Sequence, residues 1–314
     1  MRFVVEESSV QFTGNAPQHD LERFEQFLDR IDDVLSYGHK ITYSTDLFIS
    51  PVLNNLAFYD LYTVNPELHI PRPVQERVAV IFGRLQKWDD TNTDLPPEFD
   101  VTFGNSPAIC APSIAWVHDQ ALKNGDQRSA CIVMAQGLPE GAREVTCAGN
   151  TVPISFISSK KGFANFFRWV IEKTTKSPIE IEDFATAAFP NVTIASGATQ
   201  GIKGMSKPYV NLIRDVVHHL SVFSDESKSA FGSGTWQNAP THFGSRGVDI
   251  SDENGKTKAN REAEQARTKV VGGKSITFWW HSKLEPDRDR IHVYPDEVAN
   301  GGKLLVGIFC RHLV

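Results

Sequence analysis

The 314-residue chain lacks the features that define several classes of protein. Its four cysteines, Cys110, Cys131, Cys147 and Cys310, form no C-x-x-C pair, so the sequence predicts neither a disulfide scaffold nor a zinc ribbon. No apolar run approaches the ~20 residues that cross a bilayer. The amino terminus turns acidic at once and has no apolar core of the kind found in a signal peptide. We therefore expect a reduced, cytoplasmic protein with no membrane partner.

The composition is otherwise that of a globular protein, with 40% hydrophobic and 22% charged residues and a formal net charge of −6. The charge is unevenly distributed. Residues 255–314 carry eleven Lys and Arg against seven Asp and Glu, whereas the rest of the chain has a net charge of −10. An acidic body with a basic end favours a local anion site. The alternative is an ordinary solvated surface.

Helix-type and strand-type patterns alternate through residues 1–225, which predicts an α/β or α+β fold. The predicted helices lie at 20–38, Val52–Tyr62, 73–88, Ser113–Lys123, Phe163–Lys173 and Tyr209–Phe223. The predicted strands lie near the amino terminus and at Ala130–Ala135, Glu144–Ala148, Val152–Ile157 and Val192–Ala195.

The sequence predicts a larger amino-terminal domain and a small carboxyl-terminal one. Residues 1–225 form the mixed helix and sheet domain, with a sensing or docking role. Residues 226–241 belong to a polar, Gly- and Ser-rich stretch and are predicted to be a linker. Residues 242–314 form a small β-rich module in β-meander order, with strands at Ser275–Trp280, Arg290–Tyr294 and Leu304–Phe309.

Histidines and cations are concentrated in this last module. The candidate catalytic residues are His281, His292 and His312, and the candidate anion-binding residues are Lys283, Arg288, Arg290 and Arg311. Imidazoles suit metal-independent phosphodiester cleavage, because one can accept a proton from the attacking oxygen while another protonates the leaving oxygen. Cations would hold the phosphate. Neither a cofactor nor a metal is predicted.

Residues two apart on a strand share a face, so His281 points the same way as Lys283, and Arg290 the same way as His292. If these strands pair in chain order, the four groups converge on one phosphate. In the alternative interpretation the histidines are half-exposed polar residues at strand ends, and the acids at positions 287 and 289 pair with the neighbouring arginines.

Several residues near the chain end resemble the carboxyl terminus of uncharacterised bacterial proteins common in mobile and antiphage-defence gene islands. They are His281-Ser282-Lys283-Leu284, Arg290-Ile291-His292, Val306-Gly307 and His312-Leu313. The stretch from Gly38-His39 to Asp46 is similar to the amino-terminal part of those proteins. The size, basic character and strand order of the module also resemble, more weakly, the RelE class of ribosome-dependent mRNA endonuclease toxins. These resemblances imply a defence effector that attacks RNA or DNA.

Two further motifs suggest other chemistry. The loop Gly197–Gly204 lies between a predicted strand and helix, where phosphate loops occur, but it is not G-x-x-x-x-G-K-[ST], and an αβ connection is the favoured interpretation. Asp249, Asp252 and Glu253 precede the strand with His281 and resemble the core of a metal-dependent restriction endonuclease. Asn254-Gly255 directly after them favours a solvated turn instead.

Two pairs of adjacent aromatic residues are assigned mainly to packing. His218 and His219 lie on one apolar helix about 100° apart, so they cannot chelate a single metal together. Trp279 and Trp280 alternate across a strand, where one fills the core and the other could stack on a base.

Two functions therefore remain open. The first is a nuclease-like effector of an antiphage system, which cleaves RNA, or less favourably DNA, with the three histidines as acid and base. The second is a non-catalytic subunit of a defence complex that binds nucleic acid or a nucleotide with the same cations. In both, the acidic amino-terminal domain offers faces for protein partners.

Overall fold

The computed structural model describes residues 1–63, 68–90, 95–124, 128–134, 138, 140–233, 236–285 and 288–313. Its mixture of helices and sheets confirms the predicted α/β or α+β class. The chain divides into two compact units, Met1–Phe166 and Phe167–Val314. In this described part of the chain, no helix is long and apolar enough to cross a membrane.

The amino-terminal unit is built on one large sheet. Its strands are β1 (Arg2–Val5), β2 (Lys40–Tyr43), β3 (Pro51–Leu53), β4 (Leu56–Ala57), β5 (Gln86–Lys87), β6 (Asp100–Phe103), β7 (Ile109–Cys110), β8 (Ser129–Ile132), β9 (Gly141–Cys147) and β10 (Asn150–Ile157). Its helices are α1 (Pro17–Ser36), α2 (Arg72–Phe82), α3 (Pro112–Asn124) and the first part of α4 (Lys160–Thr174). Eight of the strands form the large sheet in the order β5-β2-β1-β8-β10-β9-β6-β7. The first five in that order pair in parallel, and the last four pair antiparallel.

Helical periodicity explains how α1 packs. Phe24, Phe27, Leu28 and Ile31 recur at helical spacing and are all buried. Burying each such side chain is worth about 1.5–3 kcal/mol. After α1, Gly38 turns the chain with φ 75°, a conformation that glycine adopts without a Cβ penalty.

The helix predicted at Val52–Tyr62 is wrong. The chain instead forms the β3–β4 hairpin followed by a 3₁₀ helix at Phe58–Tyr62. Asn54 occupies the turn with φ 47°, and asparagine tolerates this left-handed region better than most residues. The turn chemistry therefore overrides the loosely helical spacing of the apolar residues.

The carboxyl-terminal unit contains a smaller sheet, a hairpin and several helices. Its strands are β11 (Val192–Ile194), β12 (Ile250–Asp252), β13 (Thr268–Val271), β14 (Lys274–Thr277), β15 (Trp280–Lys283), β16 (Asp289–Tyr294) and β17 (Leu304–Arg311). Its helices, after the rest of α4, are α5 (Glu180–Ala188), α6 (Tyr209–Phe231), α7 (Ala239–Gly244), α8 (Gly255–Lys258), α9 (Arg261–Arg267) and α10 (Asp296–Ala299).

The five-stranded sheet of this unit has the order β11-β17-β16-β15-β12. Strands β15, β16 and β17 pair antiparallel in chain order, as a β-meander does, and β11 joins β17 in parallel. The segment predicted as one strand at Ser275–Trp280 is split between β14, in a separate two-stranded hairpin with β13, and β15.

The structure shows a helix where the first part of the linker was predicted. Residues 226–231 continue helix α6, and the division between the compact units lies at Phe166 and Phe167. Ser224 and Ser227 are each 1% exposed. A Gly- and Ser-rich stretch is typical of a linker, but small side chains also let a helix pack closely, and here the helical face stays buried as far as Phe231.

Candidate functional site

The predicted site residues lie on or beside strands β15–β17, whose pairing decides which side chains share a face. His281 is opposite His292, and Lys283 is opposite Arg290. Directly paired residues, and residues two apart on one strand, point to the same side of a sheet. These four side chains therefore share one face.

That face is covered, and the two imidazoles are buried in it. His281 is 7% exposed and His292 is 1% exposed, with ring centroids 5.3 Å apart. Nδ1 of His292 lies 3.1 Å from the carbonyl oxygen of Phe278. A carbonyl only accepts hydrogen bonds, so Nδ1 carries the proton and Nε2 is left without one. Nε2 of His281 lies 3.4 Å from the Ser251 hydroxyl.

Burial keeps both imidazoles neutral. Desolvation, together with the nearby His281 ring, lowers the pKa of His292 to about 3. Desolvation also lowers the pKa of His281, against the opposing effect of the Glu253 carboxylate. At neutral pH His292 is therefore a neutral imidazole, and its one proton, on Nδ1, is donated to the Phe278 carbonyl and not to a leaving group.

A buried ion pair lies beside the histidines. Arg267 is 1% exposed, and its Nε and Nη2 donate to Oε1 of Glu253 at 3.0 and 2.8 Å. Nη2 also donates to the carbonyl of Leu313 at 3.1 Å. Nδ1 of His281 lies 3.4 Å from the same Glu253 oxygen. Arg267 therefore connects this buried cluster to the end of the chain.

The three acids considered for a metal-dependent nuclease each contact a cation. Asp249 binds Lys283 at 2.7 Å, Asp252 binds Lys258 at 2.6 Å, and Glu253 binds Arg267. The side chain of Asn254, next in the chain, accepts from the Thr257 N–H and caps α8. Among the described residues, no group of three or more His, Cys, Asp or Glu side chains is arranged to hold a metal ion.

The other three predicted residues line an open cleft. Arg311 is opposite Asp289 and therefore points away from the Arg290 and His292 face. Arg288, Arg311 and His312, together with Ser206, line a cavity of about 480 Å³. All three predicted residues are exposed. The backbone N–H of His312 donates to the Arg288 carbonyl at 2.5 Å, which holds the two segments side by side.

The buried carboxylate of Asp289 fixes the position of Ser206, which lines the cleft. Asp289 is 0% exposed and accepts from the Ser206 N–H at 3.0 Å as well as from its hydroxyl. Its charge is therefore directed at Ser206. The adjacent Lys207 forms an ion pair with Glu285, which offsets that acid. Within the described part of the chain, Arg288 and Arg311 form no ion pair.

The seven predicted residues thus divide into two groups. His281, Lys283, Arg290 and His292 occupy the covered face, and Lys283 is already paired with Asp249. Arg288, Arg311 and His312 occupy the open cleft. The seven predicted residues therefore do not share one pocket, because strand alternation sends Arg290 and Arg311 to opposite faces. The proposed pairing of Asp289 with its neighbouring arginines gives way to the Ser206 contact, and Asp287 lies outside the described residues.

The loop Gly197–Gly204 has its first backbone amides occupied. A 3₁₀ helix runs from Ala198 to Gly204, and the Glu182 carboxylate accepts from the N–H groups of Gly197 at 3.0 Å and Thr199 at 3.2 Å. The carboxylate therefore takes the position that a phosphate takes in a phosphate loop.

The paired aromatic residues serve mainly in packing. His219 is buried, its Nδ1 lies 2.9 Å from the Ser282 hydroxyl, and desolvation lowers its pKa to about 4. Trp280 is 8% exposed and packs edge-on against Phe231, with centroids 5.4 Å apart. Trp279 is half-buried, with the Lys258 ammonium 6.0 Å from its ring.

Two carboxyl groups in the amino-terminal unit were not predicted as special. Glu6 and Glu7 follow the carboxyl end of β1 and are 0% and 4% exposed. Desolvation and the neighbouring charge of Glu7 raise the pKa of Glu6 to about 7. Desolvation also raises the pKa of Glu7, whose Oε1 accepts from the Ser113 N–H. Acids directly after an apolar strand were the available signal, since carboxyl ends of parallel strands often carry function.

The geometry separates what each group can do chemically. Two exposed guanidinium groups and an imidazole around one cleft can hold a phosphate by charge-assisted hydrogen bonds. The buried pair has no such access to a ligand, and its neutral imidazoles fit a packed polar cluster. No protein-family model, curated protein or solved structure matches the chain.

Proposed function

We propose that the carboxyl-terminal unit binds the phosphate backbone of nucleic acid, with RNA preferred over DNA, at the cleft lined by Arg288, Arg311 and His312. The observation that carries this proposal is the convergence of these three exposed groups, together with Ser206, around one cavity. Guanidinium groups match the geometry of phosphate oxygens, and their attraction to a polyanion needs no base contact.

The charge distribution supports a local site of this kind. The basic chain end contrasts with the acidic remainder, which repels a polyanion and so restricts binding to the cleft. From this charge distribution and the resemblance to defence-island proteins, we propose that the protein has a cytoplasmic role in antiphage defence, as a nucleic-acid-binding subunit. The acidic amino-terminal part of the chain would dock protein partners.

A second candidate is metal-independent cleavage of the bound RNA. His312 favours it, because this is the one predicted histidine whose exposed ring lies beside the two arginines. In this proposal His312 exchanges a proton with the reacting oxygen while Arg288 and Arg311 stabilise the charge on the phosphate. His281 and His292 have no direct part in it.

Binding is tested by fluorescence anisotropy with a labelled single-stranded RNA at several salt concentrations. R288A and R311A should each weaken binding about tenfold, and each should lower the salt slope by about 0.7. The control is R72A, which removes an arginine that is 86% exposed on α2. Unchanged affinity and slope in R288A, R311A and the double variant would overturn the proposal.

Cleavage is tested by incubating the protein with RNA in EDTA and resolving the products on a gel. H312A should abolish cleavage and retain most of the binding, whereas H218A, an exposed histidine on α6, should cleave normally. RNA that stays intact with the wild-type protein, although it is bound, rules out this second candidate and leaves the binding proposal standing.

A further inference from the structure

A second cavity of about 310 Å³ lies in the carboxyl-terminal unit. Its lining includes Ser196, Gly201, Lys269, Gly307 and Phe309. Lys269 is exposed on the β13–β14 hairpin, and its ammonium is the one charged group among the described lining residues. The remaining lining is small or apolar, which lets a ligand approach the backbone closely.

The two cavities are built from the same two stretches of chain. Strand β17 contributes Gly307 and Phe309 to the second cavity and Arg311 to the first. The segment that contains the 3₁₀ helix Ala198–Gly204 borders the second cavity at its start and reaches the first at Ser206. The cavities are therefore neighbours along one strand and one helix.

The 3₁₀ helix Ala198–Gly204 and strand β17, which both border the second cavity, pack closely against each other. A Cβ added at Gly201 would lie only 1.9 Å from the Phe309 carbonyl oxygen, so the 3₁₀ helix rests directly on β17. Phe309 and Arg311 are two residues apart, and a strand rises about 6.6–6.8 Å over two residues. That rise separates, along β17, the last residue that lines the second cavity from the arginine that lines the first.

We propose that the two cavities form one track for single-stranded nucleic acid, with successive nucleotides at the arginine cleft and at Lys269. This inference rests on the proposed function and specifies its ligand as a strand of at least two nucleotides. Arg288 and Arg311 hold one phosphate, and Lys269 holds the next.

The nearby carboxylate of Glu182 does not cancel the positive charge of Lys269. Glu182 lies beside the second cavity, but its carboxylate accepts from two backbone N–H groups and from the Thr199 hydroxyl at 2.6 Å. Those donors offset its charge, so Lys269 remains the group that faces an anionic ligand. A basic groove of this kind binds single strands through their backbone with little sequence preference.

The test measures the affinity of oligouridylates of one, two, four and eight nucleotides by competition against labelled RNA. In the wild-type protein, the affinity should rise about tenfold between one nucleotide and two to four nucleotides. K269A should lose most of that gain and change mononucleotide affinity less than about twofold, whereas K269R should retain the gain. R311A should weaken binding at every length.

A matched control separates local contact from general charge. K274A removes an exposed lysine from the other strand of the same hairpin, and this side chain does not line the cavity. Equal losses in K269A and K274A, or an affinity that does not depend on length, would overturn the track and leave the arginine cleft intact. If R288A, R311A and their double variant have no effect at any length, the proposed function itself fails.

Discussion

The imidazoles of His281 and His292 face each other across strands β15 and β16, with ring centroids 5.3 Å apart and both rings closed off from solvent. A proton on either ring would lie in a buried site next to its partner and close to Arg267 and Arg290. Both imidazoles are therefore neutral in the folded protein, and acidic pH should lower its free energy of unfolding.

The first prediction concerns acid stability. The unfolded chain protonates His292 near pH 6.5, whereas the folded protein does so only at about pH 3, so unfolding takes up a proton between these values. The free energy of unfolding should fall by about 1.6 kcal/mol for this group between pH 6.5 and 5. Replacing His292 by Asn, which can still donate to the Phe278 carbonyl, should make the fall shallower.

Urea unfolding at several pH values measures this effect, with H218N as the control because His218 is exposed on α6. Equal pH slopes in wild-type protein and H292N would contradict the assignment of a neutral, buried His292.

The second prediction concerns Glu6 and has the opposite sign. The folded protein holds a proton on Glu6 up to about pH 7, whereas the unfolded chain loses it near pH 4.5. Unfolding therefore releases a proton, and stability decreases as the pH rises through this window. Above pH 7, this proton release lowers the free energy of unfolding by about 3 kcal/mol relative to its value at acidic pH.

E6Q mimics the protonated acid and keeps the oxygen that accepts from Ser8. Thermal melts should show it more stable than wild type at pH 8, with the difference shrinking toward pH 5. E25Q, at an exposed position on α1, should show no such trend. A difference that is independent of pH would mean that Glu6 is ionised in the folded protein.

The third prediction concerns the ion pair of Glu253 and Arg267. R267M leaves the Glu253 carboxylate buried without its main partner and should cost about 3–5 kcal/mol of unfolding free energy. The double variant E253Q/R267M should recover part of this loss, because the uncompensated charge is gone. In R267M the pKa of His281 should rise, since the arginine's charge lowers it in the wild-type protein.

Denaturant titration and NMR titration of the His281 ring are the measurements. R261M, at the exposed start of the same helix, should stay within about 0.5 kcal/mol of wild type. A double variant no more stable than R267M would show that the loss comes from packing alone.

The fourth prediction concerns Gly307. A Cβ added there would lie 2.1 Å from the ring of Phe278, a core residue that is 0% exposed. The ring must move, so G307A should cost about 1–3 kcal/mol. In G244A the added methyl meets open space, so that variant should be neutral or slightly stabilising. Combining G307A with F278L should restore part of the stability, and a fully stable G307A would contradict this close contact.

Local patterns predicted much of the secondary structure. The apolar spacing of α1 and the short β-branched runs of β8 and β10 depend on neighbours in the chain, so the sequence is sufficient to detect them. The errors came where tertiary packing decides. The run Ser275–Trp280 is one apolar stretch, yet it is divided between two sheets, because Phe278 donates its N–H to the Arg267 carbonyl rather than to a neighbouring strand.

The same distinction between local sequence pattern and tertiary packing applies to the candidate site. The sequence located the cations and imidazoles in the last strands, and the cleft contains three of the seven predicted residues. It carried no signal for Ser206, which comes from the segment before α6, more than 80 residues earlier than Arg288. It also could not show that Asp289 would bind Ser206 instead of a neighbouring arginine.

By itself, the sequence determined the class of fold, strands β16 and β17 of the meander and the kinds of charge near the chain end, because composition and periodicity set these. Only the tertiary structure decided which charges meet solvent. Strand pairing sent Arg290 and Arg311 to opposite faces, and helix α9 brought Arg267 into contact with Glu253 beside the two buried imidazoles. The physical reason is that exposure and pKa depend on long-range packing, which no local pattern of residues contains.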